Sequence, residues 1–480
     1  MKKKNNKSIA LVGIITVILY ITYCLLFKTI SLNTNNSNLG YILDISGWIL
    51  YFFCIYTWYN KTNKIIDLYT IFITLFFLFN YGQCLMWGLN IHRVSEIGRS
   101  LLFDKYRIYN NDIILAQLLT LTCILLFHFG AMITANGKTK IKNNSISTNE
   151  IKTKRIIFIT CKILLIFIIP ITYYIQYKKM VMSINYGYYT LFTGELSFGY
   201  LSLITRLFFP CIYGLMFSSN FNKKIVYKCY VVILVYFIFS LIIGSRANIV
   251  YELLILVYLH HRYVRKINFK NFVIYSIAFV FLMSTMSSIR NIRDYGVTMD
   301  NLKESFLINN NIITDSFFEM GGTMSVQTII LQKGYDIYPY GNTYLLGLLG
   351  IITDKTIRIF KPEYIDLSTW FSEKYLNLTF GAGFSIVAEA LINFKPYFAP
   401  IIMIFFGYII AKISNITETD SCKKKILALI SFHSFVMFIR GTFGYYIKEW
   451  FFTISVLYIS YLIVSLFINY RKGEQSIYEK

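Results

Sequence analysis

Apolar stretches near the length that crosses a lipid bilayer recur along the whole chain, and this feature leaves few folds open. A transmembrane helix needs about 20 consecutive, mostly apolar residues. Of the 480 residues, 56% are hydrophobic and 15% are charged, and the mean hydropathy is +0.54. A soluble domain of this length needs more charge to cover its surface. The sequence therefore predicts an all-α, polytopic membrane protein.

The hydropathy pattern divides into about twelve transmembrane helices. They lie near residues 8–27, 40–59, 65–87, 112–134, 156–175, 198–218, 225–243, 247–260, 271–287, 396–413, 426–440 and 449–470. A tight turn at Gly244 joins the seventh and eighth spans. The first span follows a cluster of lysines and is longer than a signal-peptide core, so we interpret it as an uncleaved helix. Four regions result: spans one to nine in 1–287, a large loop in 288–381, a re-entrant or interfacial helix with spans ten to twelve in 382–470, and a tail in 471–480.

The distribution of positive charge predicts the orientation of the chain. With the N-terminus in the cytoplasm, the inward connections hold about 24 Lys and Arg in about 71 positions, and the outward ones about 19 in more than about 160 positions. Cytoplasmic loops are enriched in these residues, so we expect both termini to lie in the cytoplasm. The net charge of +23 is explained in this way, and no nucleic-acid partner is expected.

One outward connection, from Ser288 to about Gly381, is much longer than the others. Residues 312–332 have helical periodicity, 338–342 read Tyr-Pro-Tyr-Gly-Asn and predict a turn, and 343–353 form an apolar run too short to span. We expect a large extracytoplasmic loop containing interfacial helices that lie on the membrane. A passive ectodomain is the alternative.

Arginines mark the predicted outer ends of several spans: Arg246 after Gly244-Ser245, Arg290 and Arg293 on one helix face, and Arg440 before Gly441. Lysine would serve equally well in a simple interfacial belt. The recurrence of arginine favours planar, bidentate recognition of phosphate or carboxylate. Contacts to lipid headgroups at helix ends are the alternative.

Two charged residues lie deeper, where an unpaired charge is costly. Arg206 in span six and Glu252 in span eight are both predicted roughly 10 Å below the outer surface, from the helical rise. They are expected either to pair with each other or to form the floor of a substrate cavity.

Glu389 is the carboxylate with the most distinctive setting. It lies in an apolar segment, 381–394, that opens with small residues and closes at Lys395-Pro396, which suggests a re-entrant helix. Ser385 would share its face. A carboxyl group in an apolar place can serve as a general base; the alternative is an arginine partner that only holds the helix. His433 shares a face with Arg440, and we interpret it as a packing residue rather than a catalytic one.

Motifs for other chemistry are missing from the sequence. There is no metal-ligand cluster and no phosphate-binding glycine loop, so neither a metal nor another cofactor is predicted, and an ATP-driven pump is disfavoured. The eight cysteines have no paired short spacing, and most lie inside apolar spans. They are expected to pack as small hydrophobic residues.

Three passages resemble the Wzy-type family of oligosaccharide repeat-unit polymerases, which assemble O-antigen and capsular polysaccharides. They are Gly244-Ser-Arg-Ala-Asn-Ile-Val250, Tyr338-Pro-Tyr-Gly-Asn-Thr-Tyr344, and Ser385-Ile-Val-Ala-Glu-Ala-Leu-Ile-Asn-Phe394. The large outward loop between late spans is similar as well. Lys395-Pro396 departs from the family pattern, in which a glycine-containing turn is expected after Asn-Phe.

The resemblance implies a lipid-diphosphate-dependent glycosyltransferase in the bacterial cytoplasmic (inner) membrane. Such an enzyme transfers a glycan from undecaprenyl diphosphate to a lipid-linked repeat unit on the extracytoplasmic face and releases undecaprenyl diphosphate. Its partners would be these lipid-linked glycans, membrane lipids, and flippase and chain-length regulator proteins. The arginines Arg206, Arg246, Arg290, Arg293 and Arg440 would bind the diphosphate. Glu389 would act as the base, with Asp294 in reserve.

Other classes of membrane protein compete with this interpretation. A lipid-linked oligosaccharide flippase or other transporter should have two related halves and short loops, and neither is evident. An O-antigen ligase and a membrane acyltransferase are rivals among enzymes. An acyltransferase would need a catalytic histidine that the sequence does not clearly supply.

Overall fold

The computed structural model describes residues 2–31, 37–93, 96–99, 110–135, 148–186, 198–243, 246–268, 270, 274, 312–378, 381–416 and 420–478. Within these ranges the regular structure is helical, and no strand is formed. The helices are α1 (Lys2–Ile30), α2 (Ser37–Thr62), α3 (Leu68–Trp87), α4 (Asn110–Thr134), α5 (Thr148–Tyr186), α6 (Tyr200–Thr205), α7 (Phe208–Ser218), α8 (Lys223–Ile243), α9 (Arg246–Leu259), α10 (Ile312–Gly321), α11 (Met324–Lys333), α12 (Thr343–Leu349), α13 (Lys355–Phe360), α14 (Leu367–Thr369), α15 (Ile386–Ser414), α16 (Cys422–Phe438) and α17 (Phe443–Tyr478).

Nine helical segments of the described chain are long and apolar enough to cross a membrane. They are 9–30, 38–62, 68–87, 110–134, 148–185, 201–218, 223–243, 386–414 and 443–469. The prediction of an all-α polytopic membrane protein is therefore confirmed. Predicted spans eight and eleven correspond to the shorter helices α9 and α16, whereas the turn at Gly244 and nearly all of span nine lie outside the described residues.

Two of these helices differ from their predicted form. Helix α5 continues well beyond predicted span five, although it contains Pro170. Predicted span six is broken at Arg206 and Leu207, so that α6 is one short turn before α7. A break in a membrane helix frees backbone N–H and C=O groups, which need polar partners.

The helices fall into two compact units. The first unit contains residues 1–140, 311–415 and 434–448, and the second contains 141–310, 416–433 and 449–480.

Each cysteine is a free thiol, and all except Cys24 are buried, as expected for packing residues.

In the first unit, α4 and α15 form the central crossing. A Cβ atom added at Gly130 would meet the backbone of Ile404, and one added at Gly407 would meet the backbone of Phe127. Glycine allows membrane helices to approach this closely, because it has no side chain to separate the two backbones. Helix α4 is buried along most of its length, and for this reason it is apolar on nearly all sides.

Helix α15 is kinked, and α1 compensates for the kink. Lys395 has non-helical backbone angles (φ 60°, ψ 170°) at the point where the sequence has Lys-Pro. Because Pro400 has no N–H, the carbonyl of Pro396 lacks its usual helical partner. The hydroxyl of Tyr23 in α1 donates to that carbonyl at 2.7 Å. The Pro396 carbonyl, which Pro400 leaves without a helical partner, is therefore satisfied by α1.

In the second unit, α5 packs against α7 and α8. Gly214 of α7 allows close contact with Cys161 of α5, and the hydroxyl of Tyr173 donates to the carbonyl of Val232 in α8 at 2.7 Å. Helix α9 ends in a π-helical turn at His260–Val264. Arg262 in this turn donates to the carbonyl of Ile416 at 2.8 Å.

Candidate functional site

Glu389 lies in the first turn of α15, where three segments of the first unit meet. Ser385 caps this helix, because its side chain accepts from the backbone N–H groups of Val387 and Ala388. The carboxylate of Glu389 is fully buried. Its Oε1 accepts from the hydroxyl of Thr343 at 2.5 Å, and its Oε2 accepts from the backbone N–H of Phe443 at 2.7 Å. Both oxygens therefore have protein partners.

Asn393, one turn further along α15, completes this junction. Its Nδ2 donates to the Thr343 hydroxyl at 2.7 Å and to the Glu389 carbonyl at 2.7 Å. Its Oδ1 accepts from the backbone N–H of Thr343 at 2.7 Å. The second and third passages that carried the family resemblance are thus hydrogen-bonded to each other. We call Thr343, Glu389, Asn393 and the backbone of Phe443 the Glu389 junction.

Arg440 lies beside the chain segment that leads into α15. The backbone N–H of Phe384 donates to the carbonyl of Arg440 at 3.4 Å, and that of Ile386 donates to the carbonyl of Ile439 at 3.4 Å. The arginine side chain is exposed, and its Nε is 3.9 Å from the position that a Cβ on Gly383 would occupy. Arg440 is therefore an exposed cation held next to the entrance of the Glu389 helix.

Tyr344 adds an unusual polar atom to the same region. Its hydroxyl is buried and has no hydrogen-bond partner among the described residues. Its ring packs against Phe443 and Phe394, with ring centroids 5.2 and 5.7 Å apart. Buried hydroxyl groups normally find a partner, so this unpaired hydroxyl is an exception.

The loop that precedes α12 is ordered by an aromatic cluster. Tyr338 contacts Tyr340 and Trp370, with ring centroids 5.3 and 5.4 Å apart, and its hydroxyl donates to the carbonyl of Ile365 at 2.7 Å. Burial raises the pKa of Tyr338 above its usual range, and the nearby Tyr364 and Asp366 add to this effect. The Tyr338 hydroxyl therefore keeps its proton and remains a donor.

In the second unit, the carboxylate of Glu252 has partners other than the one that the sequence predicted. Glu252 was expected either to pair with Arg206 or to line a cavity floor with it. Instead, its Oε1 is 2.9 Å from Nε2 of His433, and its Oε2 accepts from the Tyr213 hydroxyl. The partners of Glu252 are therefore His433 and Tyr213 and not Arg206, which lies at the break between α6 and α7.

The remaining predicted site residues cannot be placed in this geometry. Arg246 begins α9, but its side chain lies outside the described part of the structure, and so do Arg290, Arg293 and Asp294 entirely. The convergence of the arginines therefore stays a prediction. Among the described residues, no three His, Cys, Asp or Glu side chains are grouped so that they could hold a metal ion.

Sequence reasoning did not assign a role to Thr343, Asn393 or Tyr344. All three lie inside the passages that carried the resemblance. The signal that could have found them is the pairing of polar residues with Glu389: Asn393 is four residues later on the same helix face. Thr343 is 46 residues away, so only the tertiary fold reveals its contact.

Taken together, the helices and the Glu389 junction define a multi-pass membrane protein whose large loop is pinned to the start of a late membrane helix. The chain belongs to the O-antigen polysaccharide polymerase Wzy family, whose family model matches residues 9–473. At the level of this family it is an O-antigen repeat-unit polymerase, a glycosyltransferase-like membrane enzyme that acts on lipid-linked oligosaccharides. Neither the comparison with curated proteins nor that with solved structures gives a match.

Proposed function

We propose that this protein polymerises undecaprenyl-diphosphate-linked oligosaccharide repeat units into a surface polysaccharide, with the transfer on the extracytoplasmic face. In this reaction the bond between the growing glycan and the diphosphate breaks, and a glycosidic bond to a hydroxyl of the incoming repeat unit forms. Undecaprenyl diphosphate leaves, and the acceptor hydroxyl loses its proton. Flippase and chain-length regulator proteins are the expected partners.

The position of Arg440 beside the Glu389 junction is the observation that carries this proposal. An exposed guanidinium thus lies beside the segment that leads to a buried carboxylate, and the leaving diphosphate and the acceptor hydroxyl require these two chemistries. The charge distribution supports the extracytoplasmic face: the connection from α16 to α17 lies outside when the basic connections lie in the cytoplasm.

In this mechanism, Arg440 binds the diphosphate and stabilises the negative charge that grows as the bond between the glycan and the diphosphate breaks. Preorganised donors aimed at developing charge lower the barrier, because they need no reorganisation during the reaction. Arg206, Arg246, Arg290 and Arg293 are proposed to complete this diphosphate site. The hydroxyl of Tyr344, which is buried and unpaired in this structure, is proposed to donate to a sugar or phosphate oxygen once the substrate has entered the site.

Glu389 is proposed as the base that accepts the proton of the acceptor hydroxyl. Its Oε1 now holds the Thr343 hydroxyl, so the acceptor hydroxyl would take the place of Thr343 when the substrate binds. The carboxylate can then receive the proton in a site shielded from water. Asp294 is the alternative base.

Complementation of a deletion strain tests the proposal. Arg246→Ala, Arg290→Ala and Arg440→Ala should each leave a single repeat unit in place of long chains on a gel of surface glycan, at unchanged protein level. Arg155→Ala is the matched control, because Arg155 is an exposed arginine near the start of α5, at the predicted cytoplasmic end.

Other gel patterns would contradict the proposal. Survival of the chain-length ladder in all three arginine variants would show that the diphosphate site is assigned wrongly. In the deletion strain itself, the absence of any surface glycan would indicate a flippase. Free polymer on undecaprenyl diphosphate would indicate a ligase.

A further inference from the structure

Helices α12 and α13 form a hairpin, residues 343–360, that presents a continuous apolar surface. Six large apolar side chains each expose more than half of their surface: Leu345, Leu348, Leu349, Ile352, Ile359 and Phe360. Leu345, Leu348 and Leu349 follow the i, i+3, i+4 spacing of one face of α12, and Ile352 lies in the turn that leads to α13. Contiguous exposed apolar side chains of this size mark an interaction surface.

The hairpin is held together internally, so its apolar side chains are not exposed by an open loop. The hydroxyl of Thr356 donates to the carbonyls of Leu349 and Thr353, each at 2.7 Å. Ile357 is buried and packs against Gly350, where a Cβ would come within 2.6 Å of its Cδ1 atom. Buried and exposed apolar residues therefore lie on opposite sides of one ordered element.

The contacts of the hairpin place it beside the beginning of a membrane-spanning helix. A Cβ on Gly347 would lie 2.9 Å from the Cα of Gly444, in the first turn of α17. Lys448, one turn later, pairs with Asp354 of the hairpin. Residues 443–469 of α17 form a candidate membrane span. The hairpin thus packs against the first turns of a helix that is long and apolar enough to cross a membrane.

Two exposed cations accompany the apolar surface. Lys355 and Arg358 of α13 are both exposed, whereas the nearby carboxylate of Asp354 is neutralised by Lys448. Basic side chains next to an apolar face are the pattern of elements that bind at the membrane interface, because they contact lipid phosphates while the apolar residues enter the leaflet.

We propose that the α12–α13 hairpin is inserted into the membrane leaflet in which α17 begins, with lipid as its partner. The six apolar side chains contact lipid alkyl chains, and Lys355 and Arg358 contact lipid phosphates. The inference does not depend on the proposed reaction. It has a consequence for the Glu389 junction, because Thr343 is the first residue of α12: a leaflet-embedded element is hydrogen-bonded directly to Glu389.

Fluorescence quenching in vesicles tests this insertion. Full-length protein carrying Ile352→Cys or Phe360→Cys is labelled with an environment-sensitive fluorophore and reconstituted into phosphatidylethanolamine–phosphatidylglycerol vesicles. Glu363→Cys is the control, because Glu363 is exposed and only three residues beyond Phe360. The unaltered chain, with seven of its eight cysteines buried, gives the labelling background.

Insertion predicts a blue-shifted emission at positions 352 and 360 that is quenched by doxyl groups on lipid acyl chains and not by aqueous iodide. Position 363 should show the reverse. Iodide quenching at all three positions would overturn the proposal. A blue shift that persists in detergent and weakens on dilution would also overturn it, because it would identify a second copy of the chain as the partner.

Discussion

The hydroxyl of Thr343 donates a 2.5 Å hydrogen bond to Oε1 of Glu389 and accepts one from Nδ2 of Asn393 at 2.7 Å. A threonine hydroxyl has one proton, so the carboxylate fixes the direction of both bonds. The large loop is therefore attached to the start of α15 through a fully buried carboxylate. This attachment leads to the first two predictions.

Thr343→Val should destabilise the junction by about 1–3 kcal/mol, because it leaves a carboxylate oxygen of Glu389 and an amide hydrogen of Asn393 buried without a partner. The midpoint of thermal unfolding in detergent measures this effect. Thr343→Ser keeps the hydroxyl and should retain most of the stability. Unchanged stability of Thr343→Val would contradict the role of these hydrogen bonds, because valine keeps the methyl group and lacks only the hydroxyl.

Glu389→Gln should also destabilise the first unit, by about 1–3 kcal/mol. The carboxylate accepts from two donors, Thr343 and the backbone of Phe443, whereas a glutamine must turn its NH₂ group toward one of them. Thermal unfolding of the purified variant checks this expectation. Glu373→Gln is the control, since Glu373 is an exposed carboxylate in the same loop region. A shift of the same size in the control would refute the role of the junction.

At the crossing of α4 and α15, adding one methyl group to a glycine should strongly lower the stability of the protein. Gly407→Ala forces its Cβ into the backbone of Phe127, so the helices must separate, at a cost of about 1–3 kcal/mol or more. Gly381→Ala is the matched control, because nothing lies within 4 Å of a Cβ at that position. Folded protein recovered by size-exclusion chromatography should fall for Gly407→Ala alone; equal recovery of both variants would contradict the crossing.

Glu252 and His433 should be energetically coupled in the second unit. Replacing either side chain removes a hydrogen-bond partner of the other, so Glu252→Gln and His433→Gln should each be destabilising. In a double-mutant cycle, the two changes together should cost less than their sum, by about 0.5–3 kcal/mol. Additive changes in unfolding free energy would show that the 2.9 Å contact contributes nothing.

The spans were predictable from sequence because lipid imposes a length and a hydropathy that each helix must satisfy by itself. It was predictable for a related reason that Glu389 has hydrogen-bond partners, because a carboxylate in an apolar segment needs them. Its partners were not predictable, because Thr343 and the backbone of Phe443 reach it only through the tertiary fold.

The partner of Glu252 illustrates the same limit on sequence reasoning. Matching depth and opposite charge favoured Arg206, yet the carboxylate binds His433 and Tyr213. Depth along a span can be counted from sequence, whereas the rotation of each helix and the choice of its neighbours depend on packing. Charge and depth along a span therefore identify which residues need partners, but they do not identify those partners.

Binding of undecaprenyl diphosphate to the purified, full-length protein tests the central claim most directly. A charge-assisted hydrogen bond contributes about 1.5–3 kcal/mol, so Arg440→Ala should weaken binding by about tenfold or more. Arg155→Ala should bind like the unaltered protein. If Arg440→Ala binds the lipid as tightly as the unaltered chain does, the diphosphate site is not at the entrance of the Glu389 helix.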